Sequence, residues 1–463
     1  MLRQLSSLFL LIVALPAQTW TQRVTASNPG DRSHAAAAFA DSSGVTVVFG
    51  RNADAGGSFP ADTWLYNGIS WAPAAPSASP PGRGAHAMAY DLFRDRVVLF
   101  GGLGAAGVMG DTWEWDGTTW QQRSPAAGPP ARMAHCMAFD LRRGVTVVFG
   151  GTSSSGGPGT LHDTWEWNGT AWTQVVTAAA PIASEDSCMC YDLQRGVCVL
   201  TGGTSFNGAP DQKTWEYDGV QWTDVSAQVG AAPSGTPGLG VAGAQIVYDR
   251  LRHVSVLFGG RTPNGTYPTD TWEYDGRSWR LIATVRPAGR TGFVMTMDTL
   301  RNKVLLYGGV SSSLTALRDT QEFSGVLPAY DYSGSGCPTS AGIASNTADA
   351  LPRTGHTMIA RIGNLPAPEA ALFLLGFSNT TSSFGPLPFD MTAVGAPGCS
   401  GRVRPDANVL VFGANGSAAV QLAIPNTAAY LGMQFFTQAL VLQSGLNALG
   451  MAASDAAAAT VGQ

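Results

Sequence analysis

The sequence has little charge and almost no lysine. Charged residues make up 13% of its 463 residues, whereas about a quarter of an average soluble protein is charged. The net charge is −5, and the basic residues are nearly all arginine, with lysine only at Lys213 and Lys303. A chain without a basic stripe lacks the electrostatic footprint of a nucleic-acid binder. We therefore exclude nucleic acid as a partner.

Long apolar runs are missing beyond the first 17 residues. No later segment has the roughly 18 consecutive apolar residues that a membrane-spanning helix needs, so we expect no membrane span. The start of the chain has a single basic residue, Arg3, followed by an apolar run from Leu8 to Ala17. This is the layout of a secretory signal peptide, here residues 1–17 with cleavage near Ala17. We predict a secreted, extracytoplasmic protein.

Motifs of catalysis and metal binding are also missing. The sequence has no G-x-S-x-G, H-E-x-x-H or phosphate-binding loop. Its six histidines have no visible triad partners, and none has a metal-ligand spacing to the cysteines. We therefore predict no catalytic residue, no metal and no other cofactor.

A tryptophan-rich block is the dominant feature that is present. Its fullest form runs from Asp111 to Gly117 (DTWEWDG), and it recurs six times in the first 326 residues. The other copies begin at Asp62, Asp163, Thr214, Asp270 and Asp319. A period near 50 residues is typical of a propeller blade. Each copy follows a continuous apolar run such as 97–100 (VVLF), which favours strands covered on both faces. The sequence predicts an all-β protein with a six-bladed β-propeller.

Glycine pairs end the apolar runs, and two spaced aromatic residues follow each pair. The pairs are Gly101-Gly102, Gly150-Gly151, Gly202-Gly203, Gly259-Gly260 and Gly308-Gly309, while the first unit has Gly50-Arg51. This pattern resembles the kelch repeat family. The resemblance implies a kelch-type β-propeller over residues 18–327.

The tryptophans also predict how the propeller closes. A tryptophan opens the fourth strand of each unit, at Trp71, Trp120, Trp172, Trp222 and Trp279, but the sixth unit ends near Val326 without one. Trp20 is left over at the start. Because a ring of blades must protect its last edge, we expect the segment from Trp20 to Val24 to supply the outer strand of the sixth blade.

The remaining chain contains no tryptophan and no glycine-pair repeat. We predict a linker over 328–336 and a smaller β-sandwich-like domain over 337–463, with strands at 356–362, 370–377, 409–412, 418–424 and 433–442. The segment Gly395 to Cys399, together with Gln438-Ala439, resembles a C-terminal module of exported bacterial proteins. In an oxidising compartment Cys337 and Cys399 are expected to form a disulfide.

The other four cysteines are Cys136, Cys188, Cys190 and Cys198. They occupy repeat positions that hold small residues in other units, so we expect them to be buried. Their pairing stays open.

Loop lengths predict which face carries the function. The second-to-third and fourth-to-first loops are long and variable, and they emerge on the same side, because strands alternate in direction within a blade. Functional residues are commonly found on such loops. Candidate ligand-binding residues on this side are the loop aromatics Phe59, Phe206 and Tyr267, the arginines Arg83, Arg132 and Arg290, and the acidic pair Glu185 and Asp186.

Some of these candidates have a structural alternative. The three arginines occupy a repeated position, which also fits a scaffold role in pairing with neighbouring blades. The repeated aspartates, such as Asp111, are expected to hydrogen-bond loop backbone. The three loop aromatics are not repeated.

The leading functional prediction is an exported, non-catalytic binding protein that presents its long-loop face to a protein or a glycan. One alternative is a carbohydrate-active enzyme, because propellers of this kind include galactose-oxidase-like oxidases and sugar mutarotases. The other is a structural surface or adhesion component. The oligomeric state is not predicted.

Overall fold

A computed structural model describes residues 18–51, 59–154, 159–182, 184–205, 208–229, 241–282, 287–325, 329–383, 385–427 and 430–462. The predicted signal peptide lies outside these residues. The chain divides into two compact units, Gln18–Ser324 and Gly325–Gln463. Both consist mainly of strands, and the helical segments described are an α-helix at Ser226–Val229 and a 3-10 helix at Met391–Val394.

The first unit contains six antiparallel sheets, numbered here as blades 1 to 6. From the inside outward, the strands are Ala36–Ala40, Val45–Phe49, Thr63–Tyr66 and Trp71–Ala74 in blade 1; Ala87–Asp91, Arg96–Gly104, Gly107–Trp115 and Trp120–Arg123 in blade 2; and Cys136–Asp140, Val145–Phe149, Thr164–Trp167 and Trp172–Val175 in blade 3. They are Cys188–Asp192, Val197–Thr201, Thr214–Tyr217 and Trp222–Asp224 in blade 4; Ala242–Asp249, Val254–Arg261, Thr271–Tyr274 and Trp279–Ile282 in blade 5; and Val294–Asp298, Lys303–Tyr307, Thr320–Ser324 and Thr19–Arg23 in blade 6. Two short strands at the inner ends, Arg83–Gly84 and Arg290–Thr291, pair with Arg96–Gly104 and Val310–Ser311.

The blades form a closed ring. The innermost strand of each blade contacts that of the next, and the innermost strand of blade 6 contacts that of blade 1. A channel therefore runs through the middle, and the hydrophobic core lies between neighbouring blades. In blade 2, for example, Val97, Val98, Leu99 and Phe100 are fully buried, because the second strand is covered on both faces. The predicted six-bladed propeller is confirmed.

The N-terminal strand closes the ring as predicted. Thr19–Arg23 pairs with Thr320–Ser324, which places Trp20 opposite Phe323. The Trp20 indole is buried and donates a hydrogen bond to Thr271 Oγ1 of blade 5 at 2.8 Å. In the other blades the fourth-strand tryptophan donates in the same way to the preceding blade, from Trp71 to Thr320, Trp120 to Thr63, Trp172 to Thr112, Trp222 to Thr164 and Trp279 to Thr214. Trp20 is therefore equivalent to these five residues.

The glycine pairs have a steric role. Gly101 and Gly102 have positive φ angles of 67° and 104°, which favour glycine. A Cβ at Gly101 would lie 2.5 Å from the backbone oxygen of Arg132 in blade 3. Such a contact is too short for a side chain, so the pair allows neighbouring blades to approach each other closely.

The second unit has two main sheets. One contains, in spatial order, Ala329–Ser333, Met451–Thr460, Gln434–Leu442, Ala370–Gly376 and Ala407–Phe412, and the other contains Ser345–Ala350, Thr357–Gly363 and Ser417–Ala423. Residues from both sheets share one core, among them Phe373 and Ala439 from the first, and Met358 and Val420 from the second. The predicted β-sandwich-like architecture is confirmed. Three two-stranded ribbons complete the unit: Pro338–Thr339 with Gly342–Ile343, Thr381–Ser382 with Gly385–Pro386, and Phe389–Asp390 with Ser400–Gly401.

The segment predicted as a linker over 328–336 contains a strand instead. Ala329–Ser333 pairs along its whole length with Met451–Thr460. Tyr330 anchors it, because its buried hydroxyl lies 2.9 Å from Asn346 Oδ1. The serines and glycines after residue 332 suggested a flexible connection, but Tyr330 is buried in the core of the second unit and holds the strand in place.

The structure contains a disulfide between Cys337 and Cys399. Cys136, Cys188, Cys190 and Cys198 are free and buried.

Candidate functional site

A ring of six backbone positions surrounds the channel on the side of the long loops. These positions, called the mouth ring, are His34, Ala85, Ala134, Asp186, Gly243 and Gly292, one from each blade just before or at the start of its innermost strand. All six have left-handed backbone conformations, with φ between 52° and 66°. This conformation costs about 1–2 kcal/mol for a residue with a side chain, so neighbouring contacts must compensate for it at four of the six positions.

Hydrogen bonds around the mouth ring supply that compensation. Backbone N–H groups donate from His34 to Gly292 O at 2.6 Å, Ala85 to His34 O at 2.7 Å, Ala134 to Ala85 O at 2.8 Å, Asp186 to Ala134 O at 2.9 Å and Gly243 to Asp186 O at 2.8 Å. The remaining step is made by Thr291 Oγ1, which donates to Gly243 O at 3.2 Å. Each blade is therefore joined to the next at the mouth of the channel.

The side chains of the mouth ring are not equivalent. Only His34 and Asp186 are ionisable, and they belong to blades 1 and 4, which lie opposite each other in a ring of six. Hydrogen-bonded strand neighbours have Cα atoms about 5.5 Å apart, so opposite members of a regular ring of six lie about 11 Å apart. Both residues line the cavity at the mouth, together with Ser187, Gln245 and Thr291.

The three predicted ligand-binding arginines form part of the scaffold. Arg132 is fully buried, and its Nη1 and Nη2 donate to the two carboxylate oxygens of Asp163 at 2.8 and 2.9 Å. Its Nη1 and Nε also donate to the backbone oxygens of Gly150 and Pro130. The same arrangement joins Arg83 to Asp111 and Arg290 to Asp319. The prediction that these arginines face a ligand is therefore wrong, because their guanidinium groups are enclosed and bonded within the blade.

Sequence reasoning missed a fourth copy of this pair and the signal that reveals it. Arg32 forms the same two-point contact with Asp62 in blade 1. Blade 4 lacks both partners, because Ser184 stands at the arginine position and Lys213 at the aspartate position. Every blade that has the arginine also has the aspartate, which indicates that they are partners.

The repeated aspartates have side-chain partners instead of the expected loop backbone. Besides Arg132, Asp163 accepts a hydrogen bond from Trp165 Nε1 at 2.7 Å. Burial of this carboxyl opposes ionisation, but the hydrogen bonds and charge of Arg132 outweigh it and lower the pKa of Asp163. These carboxylates are ionised and committed to the blades.

His86 and His135 also belong to the scaffold. Each imidazole packs edge-on against a phenylalanine of the preceding blade, with ring centroids 5.7 Å apart for Phe49 and His86, and 5.5 Å apart for Phe100 and His135. Burial, reinforced by the charge of Arg132, lowers the pKa of His135 to about 3. Burial likewise lowers the pKa of His86. Both imidazole rings are neutral and fill space between neighbouring blades.

Blade 4 places the two predicted acidic residues at the mouth. Among the described residues, none donates a hydrogen bond to the carboxylate of Asp186, and no arginine or lysine forms an ion pair with Asp186 or Glu185. Burial raises the pKa of Asp186. Burial also raises the pKa of Glu185, with a further contribution from the charge of Asp186. Glu185 and Asp186 therefore form an acidic side of the mouth that no positively charged group of the described residues neutralises.

Blade 1 places two further polar groups at the mouth, which sequence reasoning had not selected. His34 Nδ1 and Arg51 Nε are buried without a hydrogen-bond partner among the described residues. Arg51 lies beside the mouth ring, because a Cβ on Gly84 would lie 2.7 Å from Arg51 Cβ. Burial lowers the pKa of His34, and the nearby charge of Arg51 lowers it further. Arg51 could have been identified from the sequence, because Gly50-Arg51 departs from the glycine pair of the other blades.

The described loop aromatics occupy a repeat position after all. Phe59 and Tyr267 each stand three residues before the block aspartate and are followed by proline. The backbone oxygen of each packs closely on a glycine of the next blade, so that an added Cβ would lie 1.7 Å from Phe59 O at Gly82, and 2.0 Å from Tyr267 O at Gly289. The Phe59 ring lies 5.6 Å from the Arg51 guanidinium carbon. Phe206 lies outside the described residues.

The channel itself is narrow near the mouth. Two small cavities of 70 and 100 Å³ lie there, lined by the mouth ring and the first residues of the innermost strands. A larger cavity of 240 Å³ opens at the opposite end, among Phe39, Tyr90, Phe139, Tyr191 and Tyr248. Pockets for drug-sized ligands usually have 300–1,000 Å³. The mouth therefore has room for one small group, and a larger ligand would rest on the surrounding loops.

The described residues contain no cluster of three or more His, Cys, Asp or Glu side chains arranged to hold a metal ion. In the same part of the chain, no helix is long and apolar enough to cross a membrane.

Comparison with known proteins finds a similar structure but no matching sequence family. No protein-family model matches the chain, and no curated protein matches it. A solved structure described as the structure of YjhT is similar, with 14% sequence identity and a TM-score of 0.49, over 66% of this chain and 96% of that one. No function or residue role is taken from it.

Proposed function

We propose that this protein is an exported, non-catalytic binding protein, which uses the long-loop face of a kelch-type propeller to hold a protein or a glycan. The observation that carries the proposal is the contrast at the channel mouth. The buried arginine–aspartate pairs of the blades are satisfied, whereas Arg51 Nε has no hydrogen-bond partner, and Glu185 and Asp186 have no ion-pair partner, among the described residues. The neutral rings of His86 and His135 also lack hydrogen-bond partners there, so the contrast lies in the charged groups. Unpaired groups in a cleft are more typical of binding sites than of scaffolds.

The exported location is supported by two features. The first 17 residues have the layout of a signal peptide. The disulfide between Cys337 and Cys399 is of a kind that persists mainly in oxidising compartments. In this proposal the second unit, with its likeness to C-terminal modules of exported bacterial proteins, acts as an anchor or spacer.

The experiment is a glycan array, followed by binding assays on the strongest hit. The doubly substituted variant Phe59→Ala/Tyr267→Ala should weaken binding at least tenfold, since each aromatic face commonly contributes more than its buried area alone. Phe93→Ala is the matched control, because Phe93 is exposed on the short-turn side of the same unit. Equal affinities for wild type and the double variant would remove the long-loop face as the binding surface. Turnover of a bound sugar would favour the carbohydrate-active enzyme instead.

A further inference from the structure

We propose that the channel mouth binds a small zwitterion, whose cationic group faces Asp186 and Glu185 of blade 4 and whose anionic group faces Arg51 of blade 1. This inference rests on the proposed function only in placing binding on the long-loop face. It adds the chemical class of the ligand, which the loop aromatics alone do not define.

The acidic side of the mouth requires a cation. Several other acidic residues of the propeller have one, such as Asp163 with Arg132, and Asp224 with Lys213. No described arginine or lysine pairs with Asp186 or Glu185, and Asp186 lines the cavity at the mouth. Leaving a desolvated carboxylate unpaired is costly. A ligand ammonium group would provide the missing charge.

The basic side requires an anion. Arg51 stands where the other five blades have the second glycine of the pair, so its charge is an addition to the scaffold. No described carboxylate forms an ion pair with it, and its Nε is buried without a hydrogen-bond partner in the part of the chain that the structure describes. Phe59 supports the guanidinium from one side at 5.6 Å. A planar guanidinium suits a carboxylate, which it can bind with two parallel hydrogen bonds.

The geometry limits how far apart the ligand charges are. Blades 1 and 4 are opposite in a ring about 11 Å across between Cα atoms. Asp186 lines the cavity at the mouth, and Arg51 lies beside the mouth ring on the other side. The cavity at the mouth has only 70 Å³. A short unbranched ω-amino acid fits these limits better than an α-amino acid, whose two charges are attached to one carbon.

The test is isothermal titration calorimetry on the full chain with glycine, 4-aminobutyrate and 6-aminohexanoate. Butyrate and butylammonium serve as ligands with one charge each. We expect 4-aminobutyrate or 6-aminohexanoate to bind at least tenfold more tightly than glycine and than either single-charge ligand. Arg51→Gln and Asp186→Asn should each reduce the affinity for the best zwitterion about tenfold.

The variants should also separate the two charges. Arg51→Gln should lower the affinity for butyrate and leave the affinity for butylammonium unchanged. Asp186→Asn should lower the affinity for butylammonium and leave the affinity for butyrate unchanged. The controls are Arg277→Gln and Asp331→Asn, which remove exposed charges elsewhere and should leave all affinities unchanged. Melting curves of each variant check that it is folded.

The outcomes separate this inference from the proposed function. If none of the three zwitterions binds, or if both charge variants bind them as wild type does, the zwitterion site is wrong, while a glycan that depends on Phe59 and Tyr267 would still support the long-loop face. If a zwitterion binds with the crossed dependence on Arg51 and Asp186 but no glycan or protein ligand depends on Tyr267, the zwitterion site stands, and the proposal of a protein or glycan ligand on the surrounding loops is wrong.

Discussion

The blades and the channel mouth use the same kinds of charged residues in opposite ways. In the blades, Arg132 and Asp163 satisfy each other with two hydrogen bonds, and the arrangement recurs in blades 1, 2 and 6. At the mouth, Arg51 and Asp186 belong to opposite blades and have no such partner among the described residues. Repetition therefore identifies charges that build the propeller, and its interruption identifies charges that are free to bind something else.

The backbone of the mouth ring shows the same division. All six blades adopt one left-handed conformation, and five of the six links between them are the same backbone hydrogen bond, yet the side chains on that ring differ from blade to blade. A uniform backbone with variable side chains is suited to carrying a site that is specific to this chain.

The largest expected effect concerns the scaffold. Trp20→Ala should lower the free energy of unfolding of the propeller by about 3–5 kcal/mol, because it leaves a cavity between blades 5 and 6 and removes the hydrogen bond to Thr271. Denaturant unfolding followed by tryptophan fluorescence measures this. Val24→Ala is the control, since Val24 is exposed just beyond the strand and should have no effect. Deleting residues 18–25 should be at least as damaging as Trp20→Ala, and an unchanged melting temperature would contradict the closure of the ring.

An intermediate effect is expected when a scaffold carboxylate is neutralised. Asp163→Asn should cost about 1–3 kcal/mol, because charge-assisted hydrogen bonds to the buried Arg132 are weakened. The pKa of Asp163 is lowered in the folded state, so its stabilising contribution is complete above its unfolded pKa near 4, and is lost as the pH falls through the folded pKa. Thermal unfolding of the wild type and of Asp163→Asn should be measured between pH 7 and pH 2. The difference in stability between them should shrink only below about pH 4.

The smallest effect should have the opposite sign. Asp186→Asn should raise the Tm by about 1–3 °C at neutral pH, because it removes a desolvated charge that no described residue pairs with. The pKa of Asp186 is raised in the folded state, so the ionised form is unfavourable above that pKa and the penalty falls as the pH drops through it. The gain over wild type should therefore disappear in acid. If Asp186→Asn lost as much stability as Asp163→Asn, the distinction between paired charges in the blades and unpaired charges at the mouth would be wrong.

Much of the fold could be predicted because the repeats serve as an internal alignment. The six blades, the order of their strands and the closure by Trp20 all follow from counting equivalent tryptophans. In the second unit the strand containing Ala370 was also predicted closely, since apolar residues there alternate with turn signals. The last strand, Met451–Thr460, was missed because alanine-rich segments have low strand propensity.

The site was harder to predict, for reasons visible in particular residues. Asp186 was selected because it breaks the repeat, but its left-handed conformation was not predictable, because glycine marks this position in only two of six blades. Arg83 was selected for its place near the mouth, although burial assigns it to the scaffold. Arg51 was noticed only as a departure from the glycine pair. A missing glycine proved more informative than a repeated arginine.

The strand that contains Trp20 also affects how the protein folds. Its partner residues lie about three hundred positions later in the chain, so a strand that is synthesised early is among the last to find its place. Until Thr320–Ser324 has been made, Thr19–Arg23 has no sheet to join, and blade 6 has an open edge. Contacts between such distant parts of a chain form slowly and leave strand edges exposed in the meantime. The same closure that holds the finished ring together therefore leaves unpaired strand edges at both ends of this domain during folding.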